Sequence, residues 1–186
     1  MMRRSSSRGG TEPPVIVTAK PGRRCNTSNQ PELGGDPRVR STVDIAADIA
    51  AFQPTNGHWL GLDALLEELW KDGMPQEAIR EMLRVFERFP NDDGAGVFWS
   101  IVHGLEALPD YEAEVLTSVR RVPSDMGVTM LGRLLNAGFN DINGMPIRAI
   151  LQEVITRSDA VANAKETTKL FLDRLSSAKV GNSSAG

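Results

Sequence analysis

The fold of this chain is decided by residues 98–109, which read FWSIVHGLEALP. The large apolar side chains of this stretch recur at the i, i+3, i+4, i+7 spacing of one helix face and are Phe98, Ile101, Val102 and Leu105. Pro109 cannot continue a helix, because its ring removes an N–H donor and clashes with the preceding turn. The stretch therefore predicts one short amphipathic helix with a defined end.

Seven further segments of this kind lie between residues 41 and 178, each bounded by a cap residue, a glycine or a proline. Ser41 is the expected cap of the first helix, the second runs from about residue 62 to 72, and Pro75 lies in the first turn of the third. The later boundaries are Pro90, Pro109, Pro123, Ser124, the turn Asn143-Gly144, Pro146 and Asp159.

No segment shows a convincing alternation of apolar and polar residues, so we predict an all-α fold. Helices joined by about two to eight residues favour a short HEAT-like helical-hairpin array or an irregular helical bundle. The length of 186 residues suits one main domain.

The first 40 residues differ in composition from the rest. They hold 8 Lys/Arg against 3 Asp/Glu, a net charge of +5, together with Pro13, Pro14, Pro21, Pro31 and Pro37. We expect residues 1–40 to form a disordered basic N-terminal tail, residues 41–178 a single helical domain, and residues 179–186 a disordered C-terminus. The tail is open to two interpretations, a solvated leader or a segment that touches an acidic surface.

Composition also bears on the class of protein. No apolar run approaches the roughly 20 residues that cross a bilayer, and the basic start of the chain is not followed by the apolar stretch of a secretion signal. The single cysteine, Cys25, has no second thiol to pair with, which fits a reducing cytoplasm. Neither a phosphate-cradling loop nor a dinucleotide fingerprint is present. We therefore expect a cytoplasmic protein with no enzymatic activity, no cofactor and no membrane contact.

Charge is sorted along the chain. Residues 61–115 hold 13 Asp/Glu against 4 Lys/Arg, whereas residues 116–186 hold 6 against 9. The acidic side chains singled out in the first segment are Glu67, Glu68, Asp72, Glu77, Glu81, Asp92, Asp93, Asp110, Glu112 and Glu114. Helix N-termini attract carboxylates, so ordinary caps and solvated faces are one interpretation, and an acidic face for a basic partner is the other. Direct binding to nucleic acid is disfavoured, because residues 41–186 hold 21 Asp/Glu against 13 Lys/Arg.

The acidic segment also holds all three tryptophans, Trp59, Trp70 and Trp99. Trp99 lies one helical turn from His103, and Glu106 lies one turn beyond, so the three share a flank. That flank has three interpretations: packing against a neighbouring helix, a partner-facing patch, or a metal site, which would need further ligands that the sequence does not offer. The predicted partner-binding set is Glu67, Glu68, Asp72, Asp92, Asp93, Trp99, His103, Glu106, Asp110 and Glu112. No metal-binding residue is predicted.

Residues 98–109, followed by Ser118-Val119-Arg120-Arg121 with Pro123-Ser124 and by Leu134-Leu135-Asn136-Ala137-Gly138, carry a family resemblance. The chain resembles, over roughly residues 62–155, the central part of small all-helical immunity proteins encoded beside bacterial polymorphic toxins. The resemblance implies a non-enzymatic bacterial protein that binds and occludes a cognate toxin domain, often a nuclease with a basic active-site surface. Binding residues in such families vary with the toxin, so none is carried over from the resemblance.

Two other classes of function stay open at this point. The first is a helical adaptor or assembly module whose acidic face binds a basic partner protein of its own cell. The second is a small enzyme, although the sequence contains no recognisable catalytic motif. A toxin encoded by the neighbouring gene would separate the immunity protein from the adaptor.

Overall fold

The structure is a computed structural model that describes residues 40–71 and 76–182, with side chains up to residue 177. The described α-helices are α1 (Thr42–Ala51), α2 (Leu60–Lys71), α3 (Ile79–Arg88), α4 (Val97–Glu106), α5 (Tyr111–Arg121), α6 (Asp125–Asn136), α7 (Ile147–Thr156) and α8 (Ala162–Asn182). Single 3-10 turns, Gln76–Ala78 and Gly94–Gly96, precede α3 and α4. The predicted all-α fold is confirmed.

Local sequence signals place several helix ends as expected. The Ser41 hydroxyl accepts the N–H of Asp44 at 3.2 Å, and the Ser124 hydroxyl accepts the N–H of Gly127 at 3.1 Å. Each serine thereby satisfies one of the N–H groups that a helix start leaves unpaired. The predicted apolar face of α4 is buried, since Phe98, Ile101, Val102 and Leu105 are all fully inaccessible.

The helices stack as consecutive hairpins in two layers. In one layer α1 packs on α3 and α3 packs on α5, and in the other α2 packs on α4, α4 on α6 and α6 on α8. The helix α7 packs on α6 and α8. This arrangement is a helical-hairpin array, in which each hairpin buries its apolar faces against its neighbours. The described residues belong to one compact unit.

The two ends of the hairpins form two edges of the array. The inter-hairpin edge carries the connections from one hairpin to the next, which in the described chain are residues 76–78, 107–110 and 137–146. The intra-hairpin edge carries the turns inside the hairpins, residues 52–59, 89–96, 122–124 and 157–161. A backbone hydrogen bond of 3.1 Å from the Asp125 N–H to the Pro90 carbonyl joins neighbouring turns of the intra-hairpin edge.

The core between the layers includes an aromatic cluster at the first two hairpins. The ring of Trp59 contacts Phe89 and Phe98 edge to face, with centroids 5.0 and 4.9 Å apart. Glycines let neighbouring helices approach closely. A Cβ on Gly104 of α4 would lie 2.0 Å from the ring of Trp70 on α2. A Cβ on Gly132 of α6 would likewise lie 2.0 Å from the ring of Phe171 on α8. Among the described helices, none is both long enough and apolar enough to cross a bilayer.

Some elements differ from the sequence-based expectation. A two-stranded hairpin, β1 (Asp141–Ile142) and β2 (Met145–Pro146), closes around Asn143 and Gly144, whose φ angles are 52° and 75°. The turn was expected, but two-residue strands are too short to show alternation. The last helix starts at Ala162 rather than Asp159, because the Asp159 carboxylate binds the guanidinium of Arg157 at 2.6 Å instead of capping a helix.

The predicted domain boundaries stay predictions. The N-terminal tail lies outside the described residues except for Arg40, whose guanidinium pairs with the carboxylates of Asp48 and Glu68. At the other end α8 runs to Asn182, four residues beyond the predicted domain end at 178.

Candidate functional site

The predicted acidic residues lie at opposite ends of α4. This helix has 10 residues, which makes it about 15 Å long. Asp92 and Asp93 precede it at the intra-hairpin edge, whereas Asp110 and Glu112 follow it at the inter-hairpin edge. Asp72 lies outside the described residues. The set therefore spans more than one surface.

Asp92 and Asp93 build the turn that starts α4. The Asp92 carboxylate accepts the N–H of Gly94 at 2.8 Å, and the Asp93 carboxylate accepts the N–H of Ala95 at 2.9 Å. Such bonds from an aspartate to the backbone two residues later stabilise tight turns. Ala95 has a φ of 49° in this turn, a left-handed conformation that is uncommon for a residue other than glycine. Local structure thus accounts for both carboxylates.

The two glutamates predicted on α2 have different surroundings. The Glu68 carboxylate lies 3.2 Å from the guanidinium of Arg40, so it ties α2 to the start of α1. Glu67 is exposed and forms no ion pair with any residue that the structure describes. Of the pair, only Glu67 is left for a contact outside the protein.

The predicted flank of α4 is completed by an arginine from α6. Two N–H groups of Arg133 donate to the Glu106 carboxylate, at 2.5 Å from Nε and 2.7 Å from Nη2. The hydrogen bond from Arg133 is the main cause that lowers the pKa of Glu106, and the charges of Arg133 and His103 add to it. The guanidinium also lies over the Trp99 ring, 5.8 Å from its centroid, and His103 stacks beside that ring at 5.9 Å.

Two interpretations of this flank, packing against a neighbouring helix and a partner-facing patch, therefore stay open. Glu106 packs against the neighbouring helix through its ion pair, while Trp99 stays 39% exposed and the His103 side chain 63% exposed. A Trp held between two neighbours and still accessible is suited to contact a partner protein. Within residues 40–71 and 76–182, no group of three or more His, Cys, Asp or Glu side chains could hold a metal ion.

Beside this flank lies a groove of about 600 Å³, here called the aromatic groove. It is lined by Glu106, Leu108, Tyr111, Glu112, Arg133, Asn136, Ala137 and Phe139. Leu108 and Tyr111 are buried beneath it, and Phe139 is 44% exposed. Burial is the main cause that raises the pKa of Tyr111, and the charges of Glu112 and Glu106 raise it further.

A second cleft of about 540 Å³, here called the acidic cleft, lies at the same edge. It is lined by Gln76, Glu77, Ile79, Arg80, Glu81, Pro109, Asp110 and Glu114. The Arg80 guanidinium binds both oxygens of Glu114, at 2.9 and 3.3 Å, and this hydrogen bond lowers the pKa of Glu114. Four carboxylates against one arginine give the lining a formal charge of −3.

Two carboxylates of the acidic cleft form no salt bridge within the described residues. Glu77 and Asp110 form no ion pair with any residue in the described ranges, and both are exposed. Asp110 stands at the N-cap of α5 with a φ of 60°, and its side chain accepts no hydrogen bond from the helix start. An aspartate at this position ordinarily caps the helix, so here its carboxylate is left available at the cleft.

Sequence reasoning missed the basic and aromatic members of these two sites. Arg80 and Arg133 were missed, because the carboxylates that they bind lie 34 and 27 residues away along the chain. One signal was available for Phe139, since an apolar residue directly after a helix-ending glycine often packs against the last turn of that helix.

Comparison of the chain with protein-family models, with curated proteins and with solved structures gives no significant match.

Proposed function

We propose that this protein is an immunity protein, which binds a cognate bacterial toxin domain with a basic surface and occludes it. The observation that carries the proposal is the acidic cleft, where the carboxylates of Glu77 and Asp110 line one concave surface without cationic partners in the described chain. Lysine or arginine side chains of a toxin would supply those partners.

Electrostatics supports the same proposal over a longer range. Residues 41–186 hold 13 Lys/Arg against 21 Asp/Glu, a formal charge of −8. Complementary charge raises association rates and selects among partners more than it raises final affinity. Rapid capture suits a protein that must neutralise a toxin before the toxin acts.

The inter-hairpin edge also offers contacts that hold a complex once it has formed. The aromatic groove lies at this edge, next to the half-exposed Trp99 and the exposed Phe139. Aromatic and arginine side chains dominate the energetics of protein interfaces, whereas exposed charge pairs at the rim contribute little. In the proposed complex the acidic cleft steers the toxin and the aromatic residues anchor it.

Charge removal at the acidic cleft tests the proposal. The double variant Glu77→Lys/Asp110→Asn should keep its helical circular dichroism spectrum but associate with the toxin at least about tenfold more slowly at low salt. Asparagine is chosen at position 110 because it tolerates a positive φ. The wild-type association rate should itself fall as salt rises.

The matched control is Glu166→Lys/Asp173→Asn on α8, which changes the net charge equally at exposed positions that line neither the acidic cleft nor the aromatic groove. It should associate almost as fast as the wild type. Equal slowing by both double variants would mean that net charge alone acts, and no slowing by either would exclude the acidic cleft as the docking surface.

Co-expression separates the immunity protein from the alternative, an adaptor that joins a basic partner of its own cell. The intact protein should rescue cells that express the toxin encoded by the neighbouring gene, and the cleft variant should rescue them less well. Failure of rescue by the intact protein would contradict the immunity function and leave the adaptor as the better explanation of the same acidic cleft.

A further inference from the structure

The ring of Phe139 lies at the rim of the aromatic groove, and hydrogen bonds fix the backbone that carries it. The N–H of Gly138 donates to the Leu135 carbonyl at 3.0 Å, and the N–H of Phe139 donates to the Leu134 carbonyl at 3.0 Å. These two bonds, with Gly138 at a φ of 93°, form the Schellman motif that ends α6. A half-exposed ring on a fixed backbone can contact a partner at a low cost in conformational entropy.

The groove also holds a carboxylate without a cationic partner. Glu106 and Arg133 neutralise each other through their two hydrogen bonds, whereas Glu112 has no ion pair within the described part of the chain. The three charged side chains of the lining sum to −1. Burial raises the pKa of Tyr111 most, the charges of Glu112 and Glu106 raise it further, and the charge of Arg133 lowers it.

One side of the groove carries an arginine that contacts a ring and a carboxylate at the same time. The Arg133 guanidinium lies over the ring of Trp99 while its N–H groups bind the carboxylate of Glu106. A planar guanidinium can stack on an aromatic face and bind a carboxylate at the same time, which a lysine ammonium does less well. The lining of the groove also holds an aromatic ring, Phe139, and a carboxylate, Glu112.

We propose that the aromatic groove binds one arginine side chain of the partner protein, with its guanidinium stacked on Phe139 and paired with Glu112. The methylene groups of that arginine would lie on the apolar floor formed by Leu108 and Tyr111. An uncharged aromatic side chain is a poorer occupant, because it would desolvate Glu112 without pairing it. This inference rests on the proposed function and adds the specific contact by which the basic partner is held.

The test uses short blocked peptides, so it does not require the toxin. Acetyl-Gly-Arg-Gly-amide is titrated into the isotope-labelled protein, and binding is followed by the backbone amide resonances. We expect a Kd on the order of 1 to 10 mM, with the largest shifts at Leu108, Glu112 and Phe139. The same peptide with citrulline, which keeps the shape of arginine without its charge, should bind at least about fivefold more weakly.

Two residues of the groove lining provide the variants. Phe139→Ala and Glu112→Gln should each weaken binding of the arginine peptide at least about fivefold, while the control Glu166→Gln on α8 should leave it unchanged. Equal affinity for the arginine and citrulline peptides, or shifts confined to the acidic cleft, would overturn the inference.

This outcome is distinguishable from failure of the proposed function. Suppose that the toxin is neutralised, but the arginine and citrulline peptides bind equally well and Phe139→Ala does not weaken binding. The groove inference then fails and the proposed function stands. If the peptides show the preference but no rescue is seen, the immunity function fails and arginine recognition by the groove stands.

Discussion

At the residue scale, Glu106 shows how one carboxylate joins two helices. Its oxygens accept two N–H groups of Arg133, so the end of α4 is held to α6 by a bidentate pair. The pair is partly exposed, which limits its contribution to stability. It also orients the arginine over Trp99, so the same contact shapes a surface and links the second and third hairpins.

The Glu106 pair gives a pH-dependent prediction. Because the pKa of Glu106 is lowered from its ordinary value of 4.5, its contribution to stability is present above that value and is lost as the pH falls through the lowered pKa. Glu106→Gln should therefore be less stable than the wild type at pH 7, and the difference should shrink below about pH 4. Urea unfolding at a series of pH values measures this. A difference that does not change with pH would exclude the ion pair as its cause.

Gly104 gives a second prediction at this scale. Alanine is intrinsically better than glycine inside a helix by about 1 kcal/mol. A Cβ at position 104 would nevertheless lie 2.0 Å from the ring of Trp70. We expect Gly104→Ala to destabilise the protein by about 1 to 3 kcal/mol in urea unfolding. In a Trp70→Leu background the same change should become neutral or stabilising, and a cost that persisted there would refute the steric explanation.

At the element scale, arginines satisfy the ends of helices in the preceding hairpin. Two N–H groups of Arg88 at the end of α3 donate to the carbonyls of Ile49 and Phe52 at the end of α1, at 2.8 and 2.7 Å. Arg157 likewise follows α7 and donates to the Arg120 carbonyl at 2.5 Å, near the end of α5. Between them, Arg121 of α5 pairs with Glu87 of α3 at 3.0 Å. These contacts tie α1, α3, α5 and α7 together along the intra-hairpin edge.

Arg88 provides the prediction for this tie. Arg88→Met keeps most of the side-chain stem but leaves two helix-end carbonyls without their charged donor, so we expect a loss of about 2 to 4 kcal/mol in urea unfolding. The control Arg84→Met removes only an exposed ion pair with Glu81 on the same helix and should cost less than about 1 kcal/mol. Similar costs for the two variants would mean that the α1 carbonyls are satisfied equally well by water.

The sequence predicts elements better than it predicts such ties. Helix ends set by Ser41, Ser124 and the prolines follow from local rules, and so does the buried face of α4. The partners of Arg88 do not follow from local rules. An arginine at a helix end looks the same in the sequence whether it is solvated or binds the carbonyls of another helix. The two clefts could not be predicted for the same reason. In the acidic cleft, for example, Arg80 and Glu114 are separated by 34 residues and meet only after the hairpins stack.

At the scale of the whole molecule, the charges at the two ends of α3 and α5 differ in sign. The helices α3 and α5 begin at the inter-hairpin edge, where Glu77, Asp110, Glu112 and Glu114 lie, and they end at the other edge with Arg88 and Arg121. The helix dipole favours this distribution of charge, so it explains part of the pattern without a partner. It does not explain why Glu77 and Asp110 line a cleft together.

At the first end of the array, two large apolar side chains are exposed. Leu60 is 75% exposed and Val43 is 62% exposed on the first hairpin, whereas Leu66, Phe86, Phe98, Leu105 and Leu134 are at most 1% exposed. Alanine at any of the five buried positions should cost about 2 to 5 kcal/mol, while Leu60→Ala should change stability by less than about 0.5 kcal/mol. Thermal and urea unfolding measure both. A large cost for Leu60→Ala would show that this end is covered in solution.

The reach of the two arginines has a consequence for synthesis on the ribosome. Arg88 lies 36 residues after Phe52, and Arg157 lies 36 residues after Arg121. At about 5 to 20 residues per second, a ribosome needs roughly 2 to 7 seconds to add such a length of chain. During that interval water binds the last carbonyls of the emerging helix, because the arginine that will donate to them has not yet been translated. The first and third hairpins are thus completed one unit late, and a nascent chain released before Arg157 leaves the last carbonyls of α5 without their arginine donor.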